Sequence, residues 1–278
     1  MTDPAILHAP SVIGEPESRL RPVALAAATG LLVLGIVLSQ PGTHGFDMTV
    51  MHVLNRLTGR WPLLDHVAHD MTKESFSTLP MTALVCFAWS GGTRGGTRGQ
   101  DDRARLIAGT LACIVSIGLC FVLQAVFPDH PRPLHDPRLR FHAPASIDPG
   151  VFSPGMAFPA EHAALLFGLA ATVAGVDLPL GLACLVLAFL LSLVRVYLGF
   201  IYPSDIITGA MIGVLLTGLA QARLPLAAVR PLEAWGRRHP ASFCAVSFYV
   251  CFGIVRLFED ERYIATGLSR AIKAHLGH

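Results

Sequence analysis

About seven times along its 278 residues this chain enters a long apolar stretch, each of a length near the roughly 17–25 residues that cross a bilayer as a helix. The windows are 22–40, 75–89, 106–127, 159–175, 178–198, 203–222 and 240–255. Backbone N–H and C=O groups inside lipid must find partners within their own segment, which makes each window a helix. Hydrophobic residues make up 53% of the chain and charged residues only 14%, against about 25% charged in a soluble domain. The expected fold is therefore all-α: a polytopic membrane bundle of about six to seven helices. A net charge of +2 excludes a nucleic-acid partner of the electrostatic kind. The 20 prolines and 26 glycines fall mostly between the apolar runs, as breaks.

This divides the chain into an N-terminal cytoplasmic segment, 1–21, a transmembrane domain, 22–257, and a C-terminal surface segment, 258–278, the last a candidate surface helix. The first window is long for a signal-peptide core and shows no clear cleavage site, so it reads as an uncleaved helix. Arg19 and Arg21, then Arg94, Arg98, Arg103 and Arg105, then Arg223, Arg230, Arg237 and Arg238 fall on one side under alternating passage. That side is expected to be cytoplasmic. The segments 41–74 and 128–158 then face outward, although they carry Arg56, Arg60, Lys73, Arg138 and Arg140. For an inner-membrane protein, outward is the periplasm. Residues 46–57 alternate apolar and polar at partly helical spacing, which fits either an interfacial amphipathic helix or a packed cap. Residues 91–100 read as a flexible loop. All six cysteines lie in apolar runs without metal-ligand spacing and read as small buried hydrophobes, with neither disulfide nor zinc.

Three polar clusters interrupt this pattern at the edges of helices: Arg132-Pro133, Pro159-Ala160-Glu161-His162, and Arg195 followed by Tyr202-Pro203-Ser204-Asp205. Alternating passage puts all three at the same membrane face. Ionisable groups beside spanning helices usually face a polar cavity. Two guanidiniums grip phosphate oxygens in bidentate forks, and a helix beginning at Pro159 adds backbone donors and a partial positive charge. His162 adds a donor or a general acid. A lipid-borne phosphate reaches such a depth by lateral diffusion. Structural readings stand beside these. Arg132 and Arg195 can anchor at the interface, and Asp205 and Glu161 are favoured in a helix first turn by the dipole alone.

At these residues the chain resembles the type 2 phosphatidic acid phosphatase superfamily, whose pattern is Lys-x6-Arg-Pro, Pro-Ser-Gly-His and Ser-Arg-x5-His-x3-Asp. The likeness spans roughly 49–222 and includes Gly209. It implies a helical bundle that needs no cofactor and no metal. It also implies that Arg132 and Arg195 bind phosphate, that His162 assists the leaving group, and that Asp205 stands where a carboxylate orients the nucleophile. Four positions depart from the pattern. Ala125 replaces the lysine, Ala160-Glu161 replaces Ser-Gly, Val194 replaces the serine, and Ile201 stands where the nucleophilic histidine belongs. Lys73 can supply the missing ammonium, or can form an ordinary ion pair with a residue on its own helix face. His130 or His135 can replace the histidine in space, against the plainer reading of 129–142 as a solvated, charge-rich loop.

The function these residues imply is that of a membrane enzyme resembling lipid phosphate phosphatases or phosphotransferases, with altered catalysis. Glu161 or Asp205 would then activate a hydroxyl for in-line attack. Two alternatives stay open. One is a glycosyltransferase that uses a polyprenyl-phosphate sugar, with phosphate as leaving group and a carboxylate as base. The other is a non-catalytic lipid-phosphate binder or transporter, although the halves show no internal repeat. The partners expected are a lipid-linked phosphate and membrane lipids. No pattern speaks to oligomeric state.

Overall fold

The computed structural model describes residues 45–91, 97–126, 131–144, 147, 158–223 and 226–258, together with Thr29. The expected helix at 22–40, the segment 1–21, His130 and the C-terminal residues from 259 lie outside the described residues. Among the described residues the elements are helical, with no strand. They are α1 (Gly45–Asn55), α2 (Pro62–Thr72), α3 (Glu74–Gly91), α4 (Thr97–Val126), a 3-10 turn at Pro133–His135, α5 (Glu161–Ala174), α6 (Leu178–Tyr197), α7 (Pro203–Arg223), α8 (Leu226–Arg238) and α9 (Pro240–Val255).

Six of the expected windows coincide with α3, α4, α5, α6, α7 and α9. Segments of α4, α6 and α7 (Gly99–Val126, Leu178–Tyr197 and Pro203–Ala222) are long and apolar enough to cross a membrane. Phe76–Ser90, Glu161–Ala174 and Pro240–Val255 are apolar but shorter. Leu182, Val186, Phe189 and Leu193 of α6 and Val115, Val122 and Val126 of α4 stay exposed, an apolar belt that suits lipid rather than water. The chain is a membrane protein.

α5 is shorter than its expected window by two residues at the start and one at the end. Its 14 residues rise only about 21 Å, short of the roughly 30 Å hydrocarbon thickness. It is apolar all round because α3, α4, α6 and α7 surround it. It begins at Glu161 with Ala160 as N-cap, so Pro159 precedes the helix instead of opening it. The loop expected at 91–100 is also shorter, since α4 begins at Thr97. Two helices escaped the window count, α2 and α8. Each is short, and α8 is a basic amphipathic helix. The segment 46–57 is a packed cap: Asp47 and Met51 of α1 are fully buried. Cys113, Cys120 and Cys184 are buried as expected, but Cys86 and Cys244 are exposed on the apolar surface, where lipid rather than protein surrounds a small hydrophobe.

The chain zigzags. Arg105 of α4 reaches the carbonyl of Gly175 after α5, whereas Gln124 at the other end of α4 reaches Pro159 before α5. The two helices are thus antiparallel. α6 returns from a cap in which the Asp177 carboxylate accepts from Leu180 N–H at 3.0 Å. It ends in a Schellman turn: Phe200 N–H bonds Arg195 O and Gly199 N–H bonds Val196 O, with Gly199 at φ +74°. α7 then runs back beside α5. A Cβ on Gly209 would lie 2.1 Å from Ala160 O, and one on Gly213 would lie 2.0 Å from Ala164 O. These two glycines, four apart on one face, let the two backbones touch, as small residues do between membrane helices.

Gly213→Ala is therefore expected to destabilise the protein by about 1–3 kcal/mol through forced separation of α5 and α7. Gly118→Ala, where a Cβ meets nothing within 4 Å, is expected to be neutral or stabilising by up to about 1 kcal/mol. Thermal unfolding of both variants in one detergent checks the contrast; equal effects would count against a backbone contact at Gly213.

Candidate functional site

The start of α5, the end of α6 and the start of α7 meet at one end of the bundle. Ala160 N–H donates to Asp205 O across 3.2 Å and ties the entry of α5 to the first turn of α7. A cis peptide bond joins Phe158 to Pro159 just before α5. Within this corner Asp205 is fully buried, and its Oδ2 accepts from the N–H of Tyr202, just ahead of α7, at 3.0 Å. Ser204 N–H and Oγ donate to Asp47 at 3.0 and 2.6 Å. Two carboxylates thus answer the orphan N–H groups and the positive dipole end of α7.

Glu161 and His162 open α5, which has no side-chain N-cap. His162 Nδ1 lies 3.1 Å from Glu161 Oε1, and Gln124 Nε2 donates to Glu161 Oε2 at 2.6 Å and to Pro159 O at 2.9 Å. The charges of both Arg195 and Arg132 act on the His162 ring. Arg195, 8% exposed, donates from Nη2 to Thr72 O at 3.1 Å. Arg132 donates from Nη1 to Phe200 O at 3.0 Å, and Leu134 N–H donates to Gly199 O at 2.9 Å. The structure thus brings Arg132, Arg195, Glu161 and His162 together, with Asp205 behind them.

Lys73 is placed differently. Its ammonium sits 2.7 Å from Asp70 on the same face, and both side chains are more than half exposed. The ion pair holds Asp70 below its ordinary pKa, first through that hydrogen bond. Thr72, the residue before Lys73, supplies the carbonyl that Arg195 grips. Ile201 is 6% exposed and packs among Met51, Leu139, Ala160, Ala163, Val196, Tyr202 and Ala210. Among the described residues no three His, Cys, Asp or Glu side chains gather as a metal site.

Asp136 had been expected in a solvated loop, yet it is 3% exposed. Arg138 Nε and Nη2 bind its two oxygens at 3.0 and 2.8 Å, and Tyr202 Oη donates to Oδ2 at 2.8 Å. Burial pushes the Asp136 carboxyl up, but the hydrogen bonds from Arg138 and Tyr202 outweigh it and hold the pKa at about 2. The Tyr202 hydroxyl is raised, by burial and by the facing carboxylate. The Arg132 loop is thereby riveted to the corner that carries Ile201 and Asp205.

Residues 105–228 match the sequence profile of the PAP2 superfamily. Over that stretch the chain is similar to the PAP2 superfamily. Among solved structures, a transmembrane PAP2-type phosphatidylglycerolphosphate phosphatase from Bacillus subtilis is similar, at 19% identity and a TM-score of 0.44, over 77% of this chain and 96% of that one. No protein of curated function matches the chain in sequence.

Ile201, where the sequence pattern leads one to expect a histidine, is a packed apolar side chain. Sequence reasoning missed Gln124 and Asp47 as builders of this corner, and the hydrogen bonds that Tyr202 makes there. Gln124 alone carried a signal, as a polar amide near the end of an otherwise apolar window.

Asp136 has a folded pKa of about 2, below the ordinary 3.8. Its contribution, on the order of 2 kcal/mol, is fully present above the unfolded value and is lost as pH falls through the folded one. Asp136→Asn is therefore expected to be less stable than wild type near neutrality, with the gap closing between about pH 4 and pH 2. Melting curves of both proteins across that range decide it, and a gap that does not change with pH would rule the rivet out.

Proposed function

We propose that this end of the bundle binds a lipid-linked phosphate at the periplasmic face of the inner membrane and turns it over without a phosphohistidine. The observation that carries the reading is the company of His162. Both guanidinium charges reach its ring, a carboxylate meets its Nδ1, and the position of the expected nucleophile is filled by Ile201. Arg103, Arg105, Arg230, Arg237 and Arg238 at the opposite end support the orientation.

In this reading Arg132 and Arg195 hold the phosphate oxygens. A guanidinium has five donors in a fixed fork and can keep a carbonyl while it takes an oxyanion. Phosphoryl transfer passes through a loose transition state, in which charge builds on the leaving oxygen more than the attacking hydroxyl needs a base. Once a bound phosphate anion offsets the two guanidinium charges that oppose a further positive charge, His162 takes a second proton; Glu161 steadies it at Nδ1, and its Nε2 proton goes to the lipid-side oxygen as the phosphorus–oxygen bond breaks. A water or acceptor hydroxyl forms the new bond to phosphorus from the opposite side, and the proton it sheds restores His162. Asp205, buried against Tyr202 N–H, shapes the corner in this scheme, and Lys73 steers anions from the exposed rim.

One observation favours a second reading. Glu161 places a negative charge beside the anion site, costing about 4 kcal/mol against a phosphate dianion at 4 Å and an effective dielectric near 20. A phosphodiester, with one charge, suits the site better. If that diester links a polyprenyl chain to a sugar, the phosphate leaves without needing a proton. The Glu161–His162 pair then takes the proton of the acceptor hydroxyl as the new bond forms at the sugar carbon.

Two labelled substrates separate these readings: a lipid phosphate labelled at phosphorus and a polyprenyl-phosphate sugar labelled in the sugar. Release of the phosphorus label supports the first, transfer of the sugar label supports the second, and turnover of neither sinks enzymatic function. Arg132→Ala and Arg195→Ala are each expected to weaken lipid-phosphate binding about 10- to 100-fold, the loss of a charge-assisted hydrogen bond. Ile201→His, tested for new phosphate release, asks whether the scaffold still supports the family route.

A further inference from the structure

The other end of the bundle holds a polar cluster that the chemistry above does not use. A cavity of about 210 Å³ opens there between the end of α3, the starts of α4 and α9, and α8; its walls include Trp89, Arg103, Glu233, Arg237 and Phe243. Trp89 and Phe243 stack with ring centres 5.4 Å apart, and the Arg103 guanidinium carbon lies 5.5 Å from the centre of the Trp89 ring. Glu233 is 3% exposed. Its Oε2 meets Arg237 Nη2 at 3.3 Å, but its Oε1 is buried with no hydrogen-bond partner, and so is Nε of Arg103.

Three facts define what fits. A buried oxygen without a donor costs about 1–3 kcal/mol, so Glu233 Oε1 calls for one. Arg237 is answered by Glu233, whereas the aromatic ring under Arg103 supplies no counter-charge; the cavity therefore carries one positive charge in excess. Its volume exceeds the roughly 150 Å³ that admits benzene, room for a phosphate with a short polyol.

Depth places the cavity. Arg103 and Gln124 lie on the same helix, and their separation of 21 positions is a rise of about 32 Å, close to the hydrocarbon thickness. Gln124 touches Glu161 at the one surface, so Arg103 lies at headgroup level on the other. Trp89 at such a level is the usual interfacial aromatic. The amphipathic α8 roofs the cavity, with Leu232 and Arg230 exposed.

We propose that this cavity seats the headgroup of an anionic phospholipid from the leaflet opposite the His162 site. The phosphodiester lies between Arg103 and Arg237, a headgroup hydroxyl donates to Glu233 Oε1, and the Trp89–Phe243 wall covers the glycerol carbons. A phosphodiester monoanion beside a hydroxyl is the chemistry of phosphatidylglycerol and also of its deacylated, water-soluble headgroup. The proposal commits to the lipid.

The test uses the full-length protein in phosphatidylcholine nanodiscs doped with phosphatidylglycerol, with retained lipid counted by native mass spectrometry. Wild type is expected to retain phosphatidylglycerol about tenfold over phosphatidylcholine, and Arg103→Met and Glu233→Leu to fall to near parity. Arg230→Met, on the outer face of α8, is expected to keep the preference. On wild type alone, short-chain phosphatidylglycerol should raise the melting temperature, and the deacylated headgroup at equal concentration should not. No preference in wild type, or a preference that survives in Arg103→Met, would overturn the proposal. An equal shift from the deacylated headgroup would overturn the lipid assignment and hand the cavity to a soluble phosphodiester.

Discussion

Contact between the backbones of α5 and α7 is what the site end stands on. Gly209 faces the carbonyl of Ala160 and Gly213 that of Ala164, each too close for a side chain to intervene. Because the helices touch there, Ala160 N–H reaches Asp205 O, and the first turn of α5 lies beside the first turn of α7. His162 and Glu161 are placed by that contact, and so is their distance from the α6–α7 corner that receives Arg132. In lipid, where apolar surface gains nothing by leaving water, close packing and hydrogen bonds must supply what hydrophobic burial supplies elsewhere. Of the three apolar helices too short to span, α5 is the shortest and the most enclosed, so packing rather than lipid sets its bounds.

Around this contact the buried carboxylates act mostly as fasteners. Asp47 binds Ser204, Asp65 binds the Tyr197 hydroxyl and the N–H of Gly59, Asp136 binds Arg138 and Tyr202, and Asp205 binds Tyr202 N–H. Asp47, Asp65 and Asp136 each join a loop or cap to the α6–α7 corner across a long stretch of chain, and Asp205 fastens the corner itself. A buried carboxylate without donors is costly, so a set bonded in this way selects one arrangement of its segments. Arg132 and Arg195 are held by the same economy, each on a carbonyl near a helix end. The arginines are thus oriented by the protein itself, and in the phosphate-binding role proposed for them this reduces the ordering a ligand must impose.

Much of this was legible in the chain. Apolar windows located α3, α4, α6, α7 and α9 to within a few residues at most boundaries, since the period and length of an apolar run are local properties. The exception was α4, whose start lies in the polar residues from Thr97. Arg132, His162, Arg195 and Asp205 stood out because charge at the edge of a spanning run is rare. The enclosure of α5, the choice of a packed cap for α1, and the burial of Asp136 were not legible, because neighbours distant in sequence decide them. Asp47 and Asp136 look like ordinary surface carboxylates until Ser204 and Tyr202 are brought to them. Lys73 had two readings, and the placement puts its ammonium on Asp70, one residue from the carbonyl that Arg195 uses.

By itself, then, the order of residues determined an all-helical membrane protein, the end of the bundle at which the charged groups gather, and the absence of a histidine at position 201. Residue type and hydrophobic period are written along a single strand of chain, and lipid demands little else of a spanning helix. Only the tertiary structure decided that Ile201 is packed as a wall, that Gln124 meets Glu161, and that the half-satisfied Glu233 is walled in at the far end by α3, α4 and α9. Those outcomes depend on which atoms meet across gaps of tens to hundreds of residues, and close packing, not local preference, chooses them.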